Sequence, residues 1–278
     1  MTYLVHGATG AQGSPVIAAL QAAGKHPVAA VRSTHNVPAG LASAAVDLTD
    51  AASLTTAYTG ADGVFVHLPM SAAGRLGSHI DAITAAVAEG RPGRVVISTS
   101  GAIPVPGSPL ATLIGKVEAT GVPTVVVAPR LYLENLLLPV LVDPVRQEGV
   151  LRYPLPEDFP VSWSSHLDVA DVVVRALTDT TVTGTVEVGH LPGLTGADLA
   201  AGFATHFGRP VRFEAITPEA FGELITPLFG AETAAPVVGS YQALNAQTEN
   251  VISGSGSAQE LLGLEPRSVT GWLGRVAG

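Results

Sequence analysis

The sequence contains no cysteine among its 278 residues. This absence excludes disulfides, thiolate metal ligands and cysteine nucleophiles, and it fits a reducing compartment. The N-terminus also lacks a basic segment followed by an apolar core and a cleavage site, so we expect no secretory signal. The expected location is therefore cytoplasmic.

Long apolar runs and clustered basic residues are missing as well. The most apolar stretch, Val122 to Val142, is interrupted by prolines and polar residues, so no run of about 18 to 20 apolar residues is available to span a membrane. The net charge is −9, with 14 Lys and Arg against 23 Asp and Glu, and the basic residues are scattered. We expect neither a membrane nor a nucleic acid as partner.

Several motifs of hydrolytic and metal-dependent catalysis are also missing. The chain has no Gly-x-Ser-x-Gly elbow, no Gly-x4-Gly-Lys phosphate loop and no His-Glu-x-x-His zinc helix. Ser165, His166 and Asp168 have the residue types of a triad, but residues so close along a chain rarely converge in space. We predict no metal site.

What is present first is a glycine-rich loop between a strand pattern and a helix pattern. The apolar run Tyr3 to Val5 leads into Gly7-Ala8-Thr9-Gly10-Ala11-Gln12-Gly13, and Pro15 follows at a position suited to the first helical turn. Glycines let the chain approach a pyrophosphate closely, and a helix start offers unpaired N–H groups and the positive end of its dipole. This order predicts a dinucleotide site rather than a plain strand-turn-helix with incidental glycines.

Strand and helix patterns then alternate regularly. Strands are predicted at Tyr3–Val5, Pro27–Val31, Ala44–Val46, Gly63–His67, Arg94–Thr99, Thr124–Ala128 and Gly184–Val188, with helix patterns between them. Repeated units of this length predict an α/β fold with a doubly wound parallel Rossmann sheet, and ligands bind such sheets at the carboxyl ends of the strands.

The residues after the second strand indicate the cofactor. No acidic residue lies between Val28 and Asn36 to accept hydrogen bonds from the ribose of NAD. Arg32 lies there instead, followed by Ser33, and a guanidinium with nearby hydroxyls suits a 2′-phosphate. The sequence therefore predicts NADP(H), with a solvated arginine as the alternative.

Other residues at the strand ends complete the predicted cofactor groove. Asp47 would accept from the adenine amine or act as a turn residue, and the backbone of the segment starting at His67 would line the groove. The predicted cofactor-binding residues are Gly7, Thr9, Gly10, Ala11, Gln12, Gly13, Arg32, Ser33, Asp47, Leu48, His67, Leu68 and Pro69. Ser98, Thr99 and Ser100 end the fifth strand, where their hydroxyls would either polarise a carbonyl or bond to loop backbone.

The character of the sequence changes after Pro129. Residues 131–142 are rich in leucine, and the segment Asp143 to Trp163 is rich in proline and turn residues. We expect residues 1–130 to form an NADP-binding Rossmann domain and residues 131–278 to form mostly a smaller interleaved α/β substrate-binding lobe, with residues 166–190 returning to the Rossmann core. Ser253–Ser257 is expected to be a short flexible run.

The glycine loop, Arg32, Asp47 and the segment Pro129-Arg130-Leu131-Tyr132-Leu133-Glu134-Asn135 together resemble the NmrA-like family of atypical short-chain dehydrogenases/reductases. The segment Leu261 to Val269 is similar to the end of that family's quinone-reductase-like members. The resemblance implies that Tyr132 to Asn135 border the nicotinamide and the substrate and that Asp168 ties down a helix start. We count Tyr132, Asn135 and Tyr153 as expected substrate-binding residues.

The chain departs from the family's chemistry in its lysines. Typical short-chain dehydrogenases use a tyrosine with a lysine four residues later, because the ammonium lowers the phenol pKa. Lys25 and Lys116 are the only lysines, and neither has a tyrosine at that spacing. Thr112 lies where relatives that reduce benzylic ethers carry a lysine, and Arg130 replaces a glycine usual in the family.

These observations lead to an NADPH-dependent oxidoreductase that reduces a small apolar quinone, enone or ketone. The proton would come from Tyr132, from a hydroxyl at Ser98 to Ser100, or from water, with Tyr132 and Ser100 as the catalytic candidates. The alternative is a non-catalytic NADP(H)-sensing regulator that acts through a protein partner. A homodimer and a non-redox use of the fold stay open.

Overall fold

The computed structural model describes residues 1–68 and 75–276. The strands are β1 (Thr2–His6), β2 (His26–Val31), β3 (Ala42–Ala45), β4 (Gly63–His67), β5 (Val95–Ser98), β6 (Thr124–Pro129), β7 (Val150–Tyr153), β8 (Gly184–Val188) and β9 (Arg212–Ala215). The helices are α1 (Gly13–Ala22), α2 (Ala51–Tyr58), α3 (Leu76–Gly90), α4 (Pro109–Glu118), α5 (Pro139–Glu148), α6 (His166–Thr178), α7 (Gly196–Phe207), α8 (Pro218–Phe229), α9 (Ala231–Asn245), α10 (Ala258–Leu262) and α11 (Val269–Val276).

The chain divides into two compact units, each built from separate segments. Unit 1 comprises Met1–Pro129, His166–Val188 and Ser255–Leu264. Unit 2 comprises Arg130–Ser165, Gly189–Gly254 and the residues from Glu265 onward.

Unit 1 is organised around a seven-stranded sheet in the order β3-β2-β1-β4-β5-β6-β8, and every pairing in it is parallel. Alternate residues of a strand point to opposite faces, so both faces need a helical cover. Leu4, Val64 and Ile97 contribute to a core with α2, α3 and α4, whereas α1 packs beside α6. The predicted α/β Rossmann fold is confirmed.

Local sequence explains where several helices of unit 1 begin. Asp50 caps α2 by accepting from the N–H of Ala52 at 3.0 Å, and Ser108 caps α4 in the same way through Ala111. Such caps satisfy backbone donors that have no partner inside the helix.

Unit 2 contains the two-stranded parallel sheet β7-β9 with α5, α7, α8, α9 and α11. The segment Asp143 to Trp163, which is rich in proline and turn residues, contains the second half of α5 and all of β7. Pro144 lies inside α5, where its ring removes one backbone donor, and Gly149 ends the helix in the left-handed region at φ 71°. A helix that continues through a proline is difficult to recognise from its sequence pattern.

The expectation of a flexible Gly/Ser run at Ser253–Ser257 is wrong for its second half. The carbonyl of Gly256 accepts from the N–H of Glu187 at 2.8 Å, next to a parallel bridge between Glu187 and Ser257. Ser257 is buried, and its hydroxyl caps α10 by accepting from the N–H of Glu260 at 3.2 Å. Small residues here allow the chain to pack against β8.

No helix within residues 1–68 and 75–276 combines the length and the apolar character needed to cross a membrane.

Candidate functional site

The glycine-rich loop connects β1 to α1 in a tight turn. Gly7 has a φ of +61°, in the left-handed region that side chains disfavour. The N–H of Gly10 donates to the carbonyl of Gly7 at 2.8 Å, and the N–H of Ser14 donates to the carbonyl of Gly10 at 3.0 Å. These bonds fold the loop back on itself directly before the helix.

Two of the glycines leave no room for a side chain. A Cβ on Gly13 would lie 2.1 Å from the carbonyl oxygen of Gly7 and 2.8 Å from the nitrogen of Ala8. A Cβ on Gly7 would lie 2.4 Å from Nε2 of His67. The loop therefore requires glycine at both positions, and Thr9, Gly10 and Ala11 between them are exposed.

The start of α1 suits an anion. Its first turn has no acidic residue, and Gln12 at the N-cap makes no side-chain cap. The backbone donors of a helix start, together with its dipole, favour a negatively charged group there. A pyrophosphate needs a loop that has no side chains in its way and a helix start without a side-chain cap. Both are present, so the residues fit a dinucleotide.

The region after β2 is open and basic. Arg32 and Ser33 are both exposed, and the Ser33 hydroxyl accepts from the N–H of His35 at 3.4 Å. Within the described residues, the Arg32 guanidinium has no hydrogen bond or ion pair. Contact of either side chain with a 2′-phosphate stays a prediction.

Asp47 organises the turn between β3 and α2. Its Oδ1 accepts from the N–H and from the hydroxyl of Thr49, both at 2.8 Å. The backbone bond first, and then the hydroxyl bond, hold the pKa of Asp47 below its ordinary value. The structure thus shows the turn function of Asp47, while an adenine contact at Asp47 or at the half-buried Leu48 stays a prediction.

His67 at the end of β4 lies against the glycine loop. Burial lowers the pKa of its imidazole, and a backbone hydrogen bond at Leu68 opposes that shift. Its Nε2 is buried and has no hydrogen-bond partner among the described residues. Leu68 packs against the core of unit 1, and the predicted cofactor contact at Pro69 lies outside the described residues.

The end of β5 carries three hydroxyls. Ser98 and Thr99 are buried, and Ser100 is half-buried with a φ of +55°. The Gln12 amide reaches this strand end and bonds to both serines. The structure therefore brings the predicted residues Gln12 and Ser100 together.

The predicted substrate-binding residues of unit 2 lie in and near the 3₁₀ turn Leu133–Leu137. Tyr132 is buried directly before this turn, and its carbonyl accepts from the N–H of Asn135 at 3.1 Å. The nearby Asn135 side chain acts to lower the pKa of Tyr153 and of Tyr241, against the larger effect of burial. Tyr132, Asn135 and Tyr153 are thus all part of unit 2.

Tyr153 has no exposed surface, and its hydroxyl hydrogen-bonds to that of Tyr241. Its ring packs edge-on against Trp163 at 5.3 Å and lies beside Phe221. Burial raises the pKa of Tyr153 well above the ordinary value and raises that of Tyr241 to about 12. A substrate contact at Tyr153 stays a prediction that would require this packing to open.

Some buried polar pairs have no signal in the local sequence. His6, just before the glycine loop, bonds through Nε2 to the Tyr58 hydroxyl at 2.8 Å. In unit 2, the Trp272 indole N–H donates to Glu134 at 3.0 Å. Their partners are 52 and 138 residues apart, so sequence patterns within one element do not reveal them.

The comparisons with known proteins agree with this geometry. Residues 7–120 match the NAD(P)H-binding family model, and residues 111–273 match that of the NmrA-like family. The chain is 32% identical over 256 residues to an NAD(P)H azoreductase of Xenophilus azovorans. The alignment covers 87% of this chain and 86% of that protein.

Solved structures share the fold along the whole length. A triphenylmethane reductase of Citrobacter sp. superposes with a TM-score of 0.82 at 15% identity, and an NADPH-dependent quinone oxidoreductase of Escherichia coli with 0.74 at 17% identity. Each comparison covers 100% of both chains. The fold and the loop define an NAD(P)H-binding protein with a Rossmann sheet. The chain belongs to the NmrA-like family, and it is an oxidoreductase.

Proposed function

We propose that this protein is an NADPH-dependent reductase of a small apolar quinone, enone or ketone. The curated relative extends the candidate acceptors to azo compounds, since that protein is an azoreductase. The observation that carries the proposal is the loop from Gly7 to Gly13, in which a Cβ at Gly13 would meet the Gly7 carbonyl at 2.1 Å.

In this proposal, unit 1 binds the cofactor. Gly7, Gly10 and Gly13 hold the pyrophosphate at the start of α1, with Thr9, Ala11 and Gln12 in the same loop. The Arg32 guanidinium binds the 2′-phosphate and Ser33 supplies a hydroxyl beside it. Asp47 and Leu48 border the adenine, and His67 and Leu68 line the groove.

Bound NADPH supplies the hydride, and the protein supplies binding, orientation and electrostatics. The acceptor oxygen needs a hydrogen-bond donor while it gains negative charge, and Ser100 is the side chain we propose for contact with it, with Tyr132 as the alternative candidate. The proton itself comes from water in a site that lacks a tyrosine-lysine pair. Lys116 does not supply such a lysine, because its ammonium bonds to Asp81 at 2.7 Å.

Residues 131–278 supply the substrate lobe in this proposal, with residues 166–190 completing the cofactor domain. Tyr132 and Asn135 border the acceptor, and the Asn135 amide lies beside the buried tyrosines Tyr153 and Tyr241.

The first test is oxidation of NADPH by the purified protein with quinones, enones, ketones and azo compounds, alongside NADH. Saturable turnover that prefers NADPH is the expected result. Tight NADPH binding without turnover of any acceptor would contradict the reductase and favour the sensor, which the missing tyrosine-lysine pair also favours. A protein that binds neither cofactor would contradict both.

Arg32→Ala tests the choice of cofactor. Loss of the charge-assisted bonds to a 2′-phosphate should raise the NADPH dissociation constant about tenfold and leave that of NADH unchanged. Arg275→Ala, which removes an exposed arginine of α11, provides the charge-matched control. An equal loss for both cofactors would show that Arg32 does not recognise the 2′-phosphate.

A further inference from the structure

Gln12 occupies the N-cap of α1, yet its amide turns away from the helix. Both of its polar atoms are used by the end of β5 instead: Oε1 accepts from the Ser98 hydroxyl at 2.9 Å, and Nε2 donates to the Ser100 hydroxyl oxygen at 3.0 Å. The partners are 86 and 88 residues away along the chain. One side chain thus joins the glycine loop to the strand end that carries the candidate hydroxyls.

The hydrogen bonds form a closed ring with fixed directions. The Ser98 hydroxyl gives its proton to Gln12 and accepts the N–H of Ser100 at 3.2 Å. The Ser100 oxygen accepts from Gln12, and an amide nitrogen carries only protons. The single proton of the Ser100 hydroxyl therefore has no acceptor inside the ring and points out of it.

The backbone at Ser100 is held in a conformation that side chains disfavour. Its φ is +55°, and Gly101 follows at +88°. Such strain persists only where surrounding contacts impose it, and it clusters at functional sites. Ser100 and Gly101 are the central residues of a turn that the N–H of Ala102 closes on the carbonyl of Thr99 at 3.0 Å, and the bonds to Gln12 attach this turn to the glycine loop. Ser100 is half-buried, whereas Ser98 is buried.

We propose that Gln12 is a positioning residue that turns the Ser100 hydroxyl into an obligate hydrogen-bond donor toward the oxygen of the acceptor. This inference rests on the proposed reductase function and adds a second duty to the glycine loop. The loop that holds the cofactor also orients, through one amide, the hydroxyl that stabilises charge on the reduced oxygen. The oxygen is then protonated by water.

Gln12→Glu tests the direction of the bond with almost no change in shape. A carboxylate still accepts from Ser98, but it also accepts from Ser100 and so turns the Ser100 proton into the ring. With a quinone and saturating NADPH, kcat should fall about tenfold, as it should in Ser100→Ala. Gln21→Glu makes the same substitution at an exposed position of α1 and should leave kcat unchanged.

The double variant Gln12→Glu/Ser100→Ala distinguishes positioning from simple support of the loop. If Gln12 acts through Ser100, the double variant has the kcat of Ser100→Ala alone. If the charge of the new carboxylate changes NADPH affinity, that change should be the same whether position 100 is serine or alanine. Multiplied losses of kcat, about a hundredfold in total, would overturn the proposal.

A second readout does not depend on turnover. Calorimetry measures the affinity of the quinone for protein saturated with NADP⁺, which cannot reduce it. Gln12→Glu and Ser100→Ala should each weaken this complex by a similar factor, and the double variant should weaken it no further. If the wild-type protein binds no cofactor or reduces no acceptor, the proposed function itself is overturned. If the enzyme is active but the losses of Gln12→Glu and Ser100→Ala multiply in the double variant, only the role of Gln12 is overturned.

Discussion

The glycine loop of unit 1 and the aromatic cluster of unit 2 achieve close packing in opposite ways. In the loop, Gly7 and Gly13 approach each other because neither has a side chain. In the cluster, Tyr153, Trp163 and Tyr241 fill space with rings. The loop is complete within seven residues, whereas Tyr153 and Tyr241 are 88 residues apart. The close approach of Gly7 and Gly13 is therefore encoded within one short segment, whereas the contact of Tyr153 with Tyr241 is not.

The largest effect is expected from breaking the loop with Gly13→Ala. The added Cβ collides with the Gly7 carbonyl, and relief of that clash displaces the turn that receives the pyrophosphate. The affinity for NADPH should fall at least about a hundredfold, close to 2.7 kcal/mol. Calorimetry with NADPH measures the loss, and circular dichroism verifies that the variant is folded.

Gly115→Ala is the matched control for that substitution. Gly115 is exposed on α4, and no atom of the described part of the chain lies within 4 Å of its Cβ position. Alanine at this position should stabilise the protein by about 0.5 to 1 kcal/mol and leave cofactor affinity unchanged. Equal NADPH affinity in both variants would contradict the packing argument for Gly13.

A second effect concerns His6, whose buried contact with Tyr58 shows that the flank of the loop depends on distant residues. Burial, and to a lesser extent nearby His67, lowers the pKa of His6 from 6.5 to about 3. Between these values the unfolded chain binds a proton that the folded chain does not, so His6 makes stability fall as the pH decreases. The contribution is about 1.4 kcal/mol per pH unit.

His6→Gln should remove that slope, while glutamine still offers the Tyr58 hydroxyl a partner. Urea unfolding at several pH values between 6.5 and 4 provides the measurement, with exposed His26→Gln as control. An unchanged slope in the His6 variant would show that other groups dominate the acid sensitivity.

The smallest effect is expected in the aromatic cluster, from Tyr241→Phe. This change leaves the ring in place and removes only the hydroxyl, which bonds to that of Tyr153. Loss of this buried bond should cost about 1 to 2 kcal/mol of unfolding free energy. Tyr3→Phe is the control, since within the described residues the Tyr3 hydroxyl makes only a long hydrogen bond, to the Met1 sulfur at 3.5 Å. Equal stabilities of the two variants would contradict a structural function of the tyrosine pair.

The same contrast explains how far the sequence could predict this fold. The strand Gly63–His67 has the predicted bounds, and Gly184–Val188 was recognisable because its alternation is local. In contrast, α5 and α9 each contain an internal proline, which argues against a helix in any local analysis. Their stability comes from packing within unit 2.

The candidate site shows the same limit. The glycine spacing that predicts a dinucleotide site is a property of seven consecutive residues, and the loop has the tight geometry that this spacing requires. The partners of the Gln12 amide lie on another strand, and the burial of Tyr153 depends on Tyr241. Local patterns carry no information about either contact.

The discontinuous course of the chain has a consequence for biosynthesis. Unit 1 uses β8 and the segment Ser255–Leu264, which are made long after Pro129. Unit 1 therefore has all of its parts only after Leu264 has been synthesised. Until β8 has been synthesised, the edge of β6 has no neighbouring strand, and an open strand edge of this kind favours aggregation of the nascent chain.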